Sequence, residues 1–201
     1  MPWQDAGHDR PDELARDGDL AIRRMRDDPG DYAAFVRWRN EPHVAEWWTT
    51  DDDPTPTTFD RVVEDYGPRA EDAAWVTGCF ITVSDRPVGY VQFYPWSADA
   101  DEAREADIPD ADGSYGLDIF IGEPDMIDRG LGSRAVALLA RHLFEAHDAT
   151  GVALLTPVGN MRAHRAYEKA GFRKVTQTLD TDVVDGERRM SWLMVLDRPL
   201  A

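Results

Sequence analysis

The chain has 201 residues, about the length of one domain, and its 42% of apolar residues are enough to bury a sizeable core. Asp plus Glu number 39 against 22 Lys plus Arg, a formal net charge of −17 at pH 7, which sets the surface against phosphate backbones and anionic lipid. The single cysteine, Cys79, leaves no internal disulfide, no zinc framework of clustered Cys and His is present, and no run nears the ~18 apolar residues of a membrane span. A protein without metal, nucleic acid or membrane partner is therefore expected. The N-terminal Met-Pro-Trp-Gln-Asp-Ala-Gly-His-Asp-Arg has no apolar leader core, so the expected location is the cytoplasm.

Residues 1–18 are polar, acidic and broken by Pro2, Pro11 and Gly18, and read as an acidic N-terminal tail ahead of a single domain over 19–201. Leu20, Ile22 and Met25 suggest a first strand. Asp31 then reads as an N-cap for a helix carrying Tyr32, Phe35, Val36 and Trp38, which ends near Asn40-Glu41-Pro42. His43 to Trp48 is a short aromatic-rich helix or turn, and Asp51 to Pro54 a loop. Thr57 or Thr58 caps a helix with Phe59, Val62, Val63 and Tyr66, stopped by Gly67-Pro68.

The period then changes. Ala74–Val83 and Pro87–Trp96 read as two strands of a hairpin through Ser84-Asp85-Arg86. Cys79 lies in the first and reads as an inert core thiol. Residues 97–113 read as a long loop with seven acids and one base, Arg104. Ser114–Ile121 is a strand. A helix opens at Gly130-Leu131-Gly132-Ser133 and carries Leu131, Ala135, Val136, Leu139, Leu143 and Phe144 on one side. Gly151–Thr156 is a buried strand, and Asn160–Ala170 a helix stopped by Gly171. Phe172–Leu179 and Arg189–Leu196 are the last strands. The order predicts an α/β fold, a mixed central sheet of about seven strands with helices on both faces.

The informative segment runs from Asp118 to Ser133. A strand leads into a glycine-rich turn that starts a long helix, whose first N–H groups lack intrahelical partners and, with the helix dipole, favour phosphate. Walker A is excluded because no lysine follows Gly132, and the dinucleotide fingerprint because Arg134 and Ala135 stand where its third glycine would be. Further on, Asn160, Ala163 and Tyr167 fall on one helix face.

Arg129-Gly130-Leu131-Gly132 followed by Asn160-x-x-Ala163-x-x-x-Tyr167-x-x-x-Gly171-Phe172 resembles the acetyl-CoA motif of the GNAT N-acetyltransferase superfamily over roughly residues 20–197. Ile127 stands where the superfamily usually has Gln or Arg, and Asp128 adds a negative charge, so the cradle reads as backbone-dominated. Within the superfamily, Trp38-x-Asn40-x-Pro42-His43-Val44-x-Glu46-Trp47-Trp48, Pro87 to Tyr94 and Gly116-Leu117-Asp118 resemble the aminoglycoside 6′-N-acetyltransferases. Siderophore N-hydroxylysine acyltransferases share the tryptophan-rich motif but tend to carry a His near the central strand, which Tyr115 to Ile119 lacks. A binding module that senses acyl-CoA or cationic antibiotic without catalysis is the alternative outside enzymes.

The resemblance implies direct attack of an amine on acetyl-CoA, with amine and thioester bound together. It places the amine-contacting base at Asp118 and the general acid at Tyr167, and implies that Asn160 bonds the pantetheine arm. A backbone N–H around Phe120 would stabilise the oxygen of the attacked carbonyl. Phe120, Ile121, Arg129, Gly130, Leu131, Gly132, Ser133, Asn160, Ala163 and Tyr167 are thus the expected cofactor contacts. A polycationic acceptor calls for carboxylates and flat apolar surfaces, which Trp47, Trp48, Tyr66, Gln92, Tyr94, Asp110, Asp112 and Asp118 would supply. Relatives often carry an Asp where Leu155 stands, so that contact is expected to be lost or moved to the 97–113 loop. His43 is expected to pack or cap. A monomer or homodimer with a small cationic amine as its partner is expected.

Overall fold

The computed structural model describes residues 12–70 and 74–199. In chain order the elements are β1 (Glu13–Asp17), β2 (Leu20–Arg24), α1 (Pro29–Arg39), α2 (Pro42–Trp48), α3 (Phe59–Ala70), β3 (Thr77–Val83) and β4 (Arg86–Pro95). There follow α4 (Ala100–Glu105), β5 (Ser114–Ile121), α5 (Leu131–Ala146), β6 (Gly151–Pro157), α6 (Met161–Lys169), β7 (Arg173–Val184) and β8 (Glu187–Asp197). The strands form one sheet in the order β1-β2-β3-β4-β5-β6-β8-β7. Every neighbouring pair is antiparallel except β5 and β6.

Strand alternation distributes the core between two faces. Cys79, Ile81, Val91, Phe93 and Leu117 turn toward α5 and α6 and pack on Ala135, Val136, Leu139, Leu143 and Tyr167. Phe80, Tyr90 and Phe120 turn the other way, onto Phe35 and Trp38 of α1, Val44 of α2 and Val62 and Tyr66 of α3. A third cluster joins Trp96, Ala103 and Ala106 to Ala153, Leu193 and Val195.

The sheet has eight strands where about seven were expected, because part of the segment read as a tail is a strand. Leu14 and Ala15 pack on the main core, and β1 pairs with β2 around Gly18 in a positive-φ turn (φ 62°). Residues 1–11 lie outside the described residues. Asp31 is not the N-cap of α1. Asp28 is, accepting from the amides of Gly30 (2.7 Å) and Asp31 (3.1 Å), because Pro29 fits the first helical position. Asp31 instead takes two hydrogen bonds from Arg23 (2.7 and 2.8 Å) and one from the Arg26 amide (2.8 Å), which fixes α1 to the end of β2. Helix α3 runs past Gly67-Pro68 to Ala70, since a proline in the last turn removes little of the ladder.

The segment 97–113 is not an unstructured loop. It contains α4, capped by the Asp99 carboxylate on the Glu102 amide (2.9 Å) and anchored by Ala103 and Ala106, side chains too small to give a visible apolar period. The last hairpin is also longer than expected and turns at Asp185 and Gly186, both at positive φ (54° and 76°), as a two-residue turn requires.

At the end of β5, Glu123 joins α1 to the sheet, accepting from Trp38 Nε1 (2.9 Å), Arg37 (2.6 Å) and Arg86 (3.0 Å). The Trp38 indole lies across Gly122, where a Cβ would sit 2.1 Å from its Cγ. Trp38 is fully buried and has nowhere to move. Gly122→Ala is therefore expected to cost about 1–3 kcal/mol by overpacking, read as a lower urea midpoint. An unchanged midpoint would contradict this packing.

Candidate active site

The site begins with a failure of pairing. β5 and β6 run parallel and pair only at Ser114–Gly151 and Tyr115–Val152. Beyond Tyr115 the strands part, and β6 continues with β8 on its other side. The distal half of β5 is thus left with one edge unpaired. Hydrogen bonding in the β4–β5 ladder identifies which groups are free. The Gly122 amide donates to Val88 O (2.9 Å), so alternate residues Phe120 and Asp118 also turn their backbone groups toward β4. The amides turned into the gap belong to Ile119 and Ile121. The free donors are therefore one residue either side of Phe120, the residue around which they were expected. Ile121 O is engaged by His43 Nε2 (3.0 Å), so His43 ties α2 to this edge.

A cavity of about 220 Å³ opens beside these amides, lined by α2, distal β5, the 126–133 turn and α6. Gly130 stands at the N-cap of α5 in the left-handed region (φ 74°), with no atom within 4 Å of where a Cβ would be. No side chain caps α5, so the first amides of a 16-residue helix face the cavity at Leu131, Gly132 and Ser133. At Gly132 a Cβ would meet only Ala166, at 3.9 Å, so the helix starts of α5 and α6 leave room for a bulky group. Ser133 Oγ donates to Gly130 O (2.9 Å) and rigidifies the turn. This arrangement fits a diphosphate.

Arg129 is exposed on the turn and is not part of the lining. The cations come from α6, where Arg162, Arg165 and Lys169 share a face on the cavity rim. Their spacing of three and four residues was the signal that could have found them. Asn160 caps α6, its Oδ1 accepting from the Ala163 amide (3.1 Å), and it also lines the cavity. Tyr167 projects from the middle of α6 into the same space, its ring 5.8 Å from Phe172, and among the described residues its hydroxyl has no hydrogen-bond partner. Burial, reinforced by the charge of Asp118, raises its pKa above the ordinary phenol value.

A second cavity, of about 350 Å³, adjoins the first at Trp47 and Trp48. Its floor is Asp118. Gln92 Nε2 donates to Asp118 Oδ2 (2.9 Å), and Gln92 Oε1 accepts from Arg69 (2.6 Å) and the Tyr90 hydroxyl (3.1 Å). Burial pushes the Asp118 carboxyl up to about 6, against the lowering effect of Gln92 and with Asp180 adding to the rise. Tyr94 lies flat over Gly116, where a Cβ would strike its ring at 2.2 Å, and contacts Trp75 (5.5 Å) and Trp96 (5.3 Å). The result is an aromatic wall whose Trp75 and Trp96 sequence reasoning did not single out. Tyr66 is partly committed, since its hydroxyl accepts from Trp48 Nε1 (3.2 Å) and donates to Asp53 (2.6 Å), and burial followed by the Asp53 charge pushes it up to about 12.

Of the residues expected at an acceptor, Trp47, Trp48, Tyr66, Gln92, Tyr94 and Asp118 line this cavity. Asp110 and Asp112 do not. Asp110 sits in a tight turn (φ 47°), where its carboxylate takes Thr150 Oγ1 (2.7 Å) and its carbonyl the Ser114 amide (2.9 Å); it secures the far end of β5. Asp112 lies exposed on the same turn. The carboxylates in the wall are Asp53, Glu102, Asp180 and Asp182, with Leu155 among them. Asp180 and Asp182 are brought there by a break in register between Leu179 and Val183. Arg188, bonded to the carbonyls of Leu179 and Asp180, secures that bulge, and Ser191 Oγ donates to Asp180 Oδ2 (2.6 Å). Asp182 still meets solvent, yet desolvation and then the charges of Asp180, Asp118 and Glu102 push it up to about 7. The cavity therefore holds five carboxylates against two guanidiniums, Arg69 and Arg189, and favours cations.

Among the described residues no group of three or more His, Cys, Asp or Glu is placed to hold a metal ion, and no helix is long and apolar enough to cross a membrane.

Comparison with known proteins agrees with this geometry. The acetyltransferase (GNAT) domain model matches residues 27–179. Aminoglycoside N(6′)-acetyltransferase type 1 of Klebsiella pneumoniae is 31% identical over 144 residues, 72% of this chain and 70% of the relative. The protein of that name in Serratia marcescens matches to the same extent. The crystal structure of aminoglycoside acetyltransferase AAC(6′)-Ib in complex with coenzyme A and kanamycin superimposes with a TM-score of 0.74 at 28% identity, covering 89% of this chain and 95% of that one. The structure of AAC(6′)-Ib with ribostamycin and coenzyme A gives a TM-score of 0.77 over 90% and 94%. The chain belongs to the GNAT acetyltransferase-domain family.

Proposed function

We propose that this protein transfers an acetyl group from acetyl-CoA to a primary amine of an aminoglycoside-type cationic substrate, both bound at once. The observation that carries the reading is the place of Asp118. Its carboxylate forms the floor of an acidic cavity, while the next residues of its strand present free amides to a neighbouring cavity that ends at an uncapped helix start. Relatives bound to coenzyme A together with kanamycin or ribostamycin support the same pairing of ligands.

The fit to coenzyme A rests on the α5 amides for its diphosphate, the α6 cations for further phosphate charge, and the Asn160 amide nitrogen for the pantetheine arm. When bound, it supplies an activated acetyl thioester. A primary ammonium must lose a proton before its nitrogen can attack. Asp118, half ionised near pH 6, is ionised above it and basic enough to accept that proton directly or through water. The Ile119 and Ile121 amides are preorganised donors for the oxygen on which charge develops. The phenol of Tyr167, with its pKa above 10, is a weaker acid than a cysteine-like thiol of about 8.5. Full proton transfer from Tyr167 to a thiolate is therefore uphill, and its part is to donate a hydrogen bond to the departing sulfur. A separate general acid is not required.

A thiol-release assay with kanamycin, tobramycin and N-hydroxylysine as alternative acceptors tests the reading. Release with the aminoglycosides is expected; release only with N-hydroxylysine would overturn it in favour of a siderophore acyltransferase, and none with any amine would favour a binding module. In the same assay kcat/KM should climb as pH rises through about 6 and on through about 7, because the base must be unprotonated and Asp182 ionised to hold a cation. Asp118→Asn should abolish the part near 6 and lower kcat by roughly 10²–10⁴ while coenzyme A affinity holds. A retained rate would remove Asp118 as base. Tyr167→Phe should lower kcat by about tenfold, the scale of one hydrogen bond of ~1.4 kcal/mol, and full activity would assign Tyr167 to packing alone. Asp180→Asn with Asp182→Asn should raise KM for a polycationic acceptor at least tenfold with kcat nearly kept, and an unchanged KM would remove the β7 bulge from acceptor binding.

A further inference from the structure

Gln92 faces the acceptor cavity, yet its amide is largely occupied by the protein. Its oxygen accepts from Arg69 Nη1 at 2.6 Å and from the Tyr90 hydroxyl at 3.1 Å, and its nitrogen donates to Asp118 Oδ2 at 2.9 Å. A guanidinium has no acceptor, so the amide has only one workable orientation. Turned over, it would set NH₂ against the guanidinium and its oxygen against the carboxylate. Arg69 is itself held, with Cζ 4.1 Å from the centroid of the Tyr66 ring. A chain of contacts thus runs from α3 through β4 to the acid on β5.

We propose that Arg69 is a positioning residue for the transfer: acting through Gln92, it aims the one hydrogen bond that keeps Asp118 ionised and ready to accept a proton. The inference rests on Asp118 as the base. It explains how a base survives in that setting. The other charges around Asp118 mostly oppose ionisation: Glu102 of α4, Asp180 and Asp182 of β7, and Asp53 of the loop after α2 line the same cavity. Tyr66 and Tyr94 line the same cavity, Tyr167 the adjoining one, and Tyr90 reaches Gln92; all four are neutral phenols with the pKa raised. Two cations line the cavity with it, Arg189 of β8 and Arg69, and the chain of hydrogen bonds reaches it from Arg69. Without the guanidinium the carboxylate loses a positive charge, and the amide is free to turn over when Asp118 is protonated, its oxygen then accepting from the acid; both changes favour the neutral form.

The test is an infrared titration of the folded protein without acceptor, isolating the Asp118 carboxyl band by subtraction of the Asp118→Asn spectrum. Subtraction is needed because Asp182 also titrates in this range. Relative to wild type, Arg69→Met is expected to move the midpoint up by about one pH unit, the usual scale of a lost charge partner. Arg69→Lys, which keeps the charge and one donor, should restore part of the shift, and Gln92→Leu should move it in the same direction as Arg69→Met. Should Arg69→Met not fold, Arg69→Lys and Gln92→Leu read the same midpoint. A midpoint that stays at the wild-type value in the folded variants overturns the proposal and leaves Arg69 as a packing residue. The titration does not depend on turnover. If the midpoint moves but no amine is acetylated, the hold of Arg69 on the Asp118 carboxylate stands, while its part in a transfer falls with the transferase reading.

Discussion

The structure depends on the parting of two parallel strands. β5 and β6 share two residue pairs and then diverge, which leaves backbone donors of β5 without partners in the middle of a sheet. Unsatisfied amides in such a place are costly unless a ligand or water takes them. Here they face a cavity, and the helix that follows begins with amides that no side chain caps. Two sets of orphan donors, one at a strand edge and one at a helix start, thus converge on one volume. The packing of Trp38 on Gly122 and the bonds of Glu123 hold the link between them.

The two cavities divide the charge of the molecule. The cofactor side has backbone donors and the cations of α6; the acceptor side has five carboxylates on segments far apart in sequence. In the proposed function a polyanion and a polycation would thereby be sorted to adjoining places before any fit of shape. The net charge of −17 works in the same direction for the acceptor, drawing cations from solution. Burial, and after it the crowding of those carboxylates, raises the proton affinity of Asp118 and Asp182, and in the proposed reaction that is useful only at Asp118.

Much of this was legible in the sequence because it lies in local patterns. The glycine turn before a long apolar-faced helix, and the row of Asn160, Ala163 and Tyr167, follow from spacing along single elements. Asp118 and most of the aromatic lining belong to short motifs, and the structure brings them to one cavity. What was not legible depends on side-chain direction or on irregular backbone. Arg129 looked like the cradle's cation by adjacency, but it is exposed, and the cations that line the cavity are on α6. Asp110 and Asp112 looked like acceptor ligands by composition, but they sit in the turn at the wrong end of β5. Helix α4 is anchored by alanines, which carry almost no periodic signal. The bulge that turns Asp180 and Asp182 inward breaks the period-2 rule by which strand faces are read, so their direction could not be inferred. These carboxylates surround the place where Leu155 stands instead of an acid.

The central claim is that the open edge of β5 and the start of α5 grip the same ligand. Amide resonances recorded during a titration with coenzyme A test it most directly. The account predicts that the signals of Ile119, Ile121, Leu131, Gly132 and Ser133 move together with one saturation curve, while those of the β7–β8 turn stay still. Saturating coenzyme A that left both the strand and the helix-start amides unmoved would contradict it.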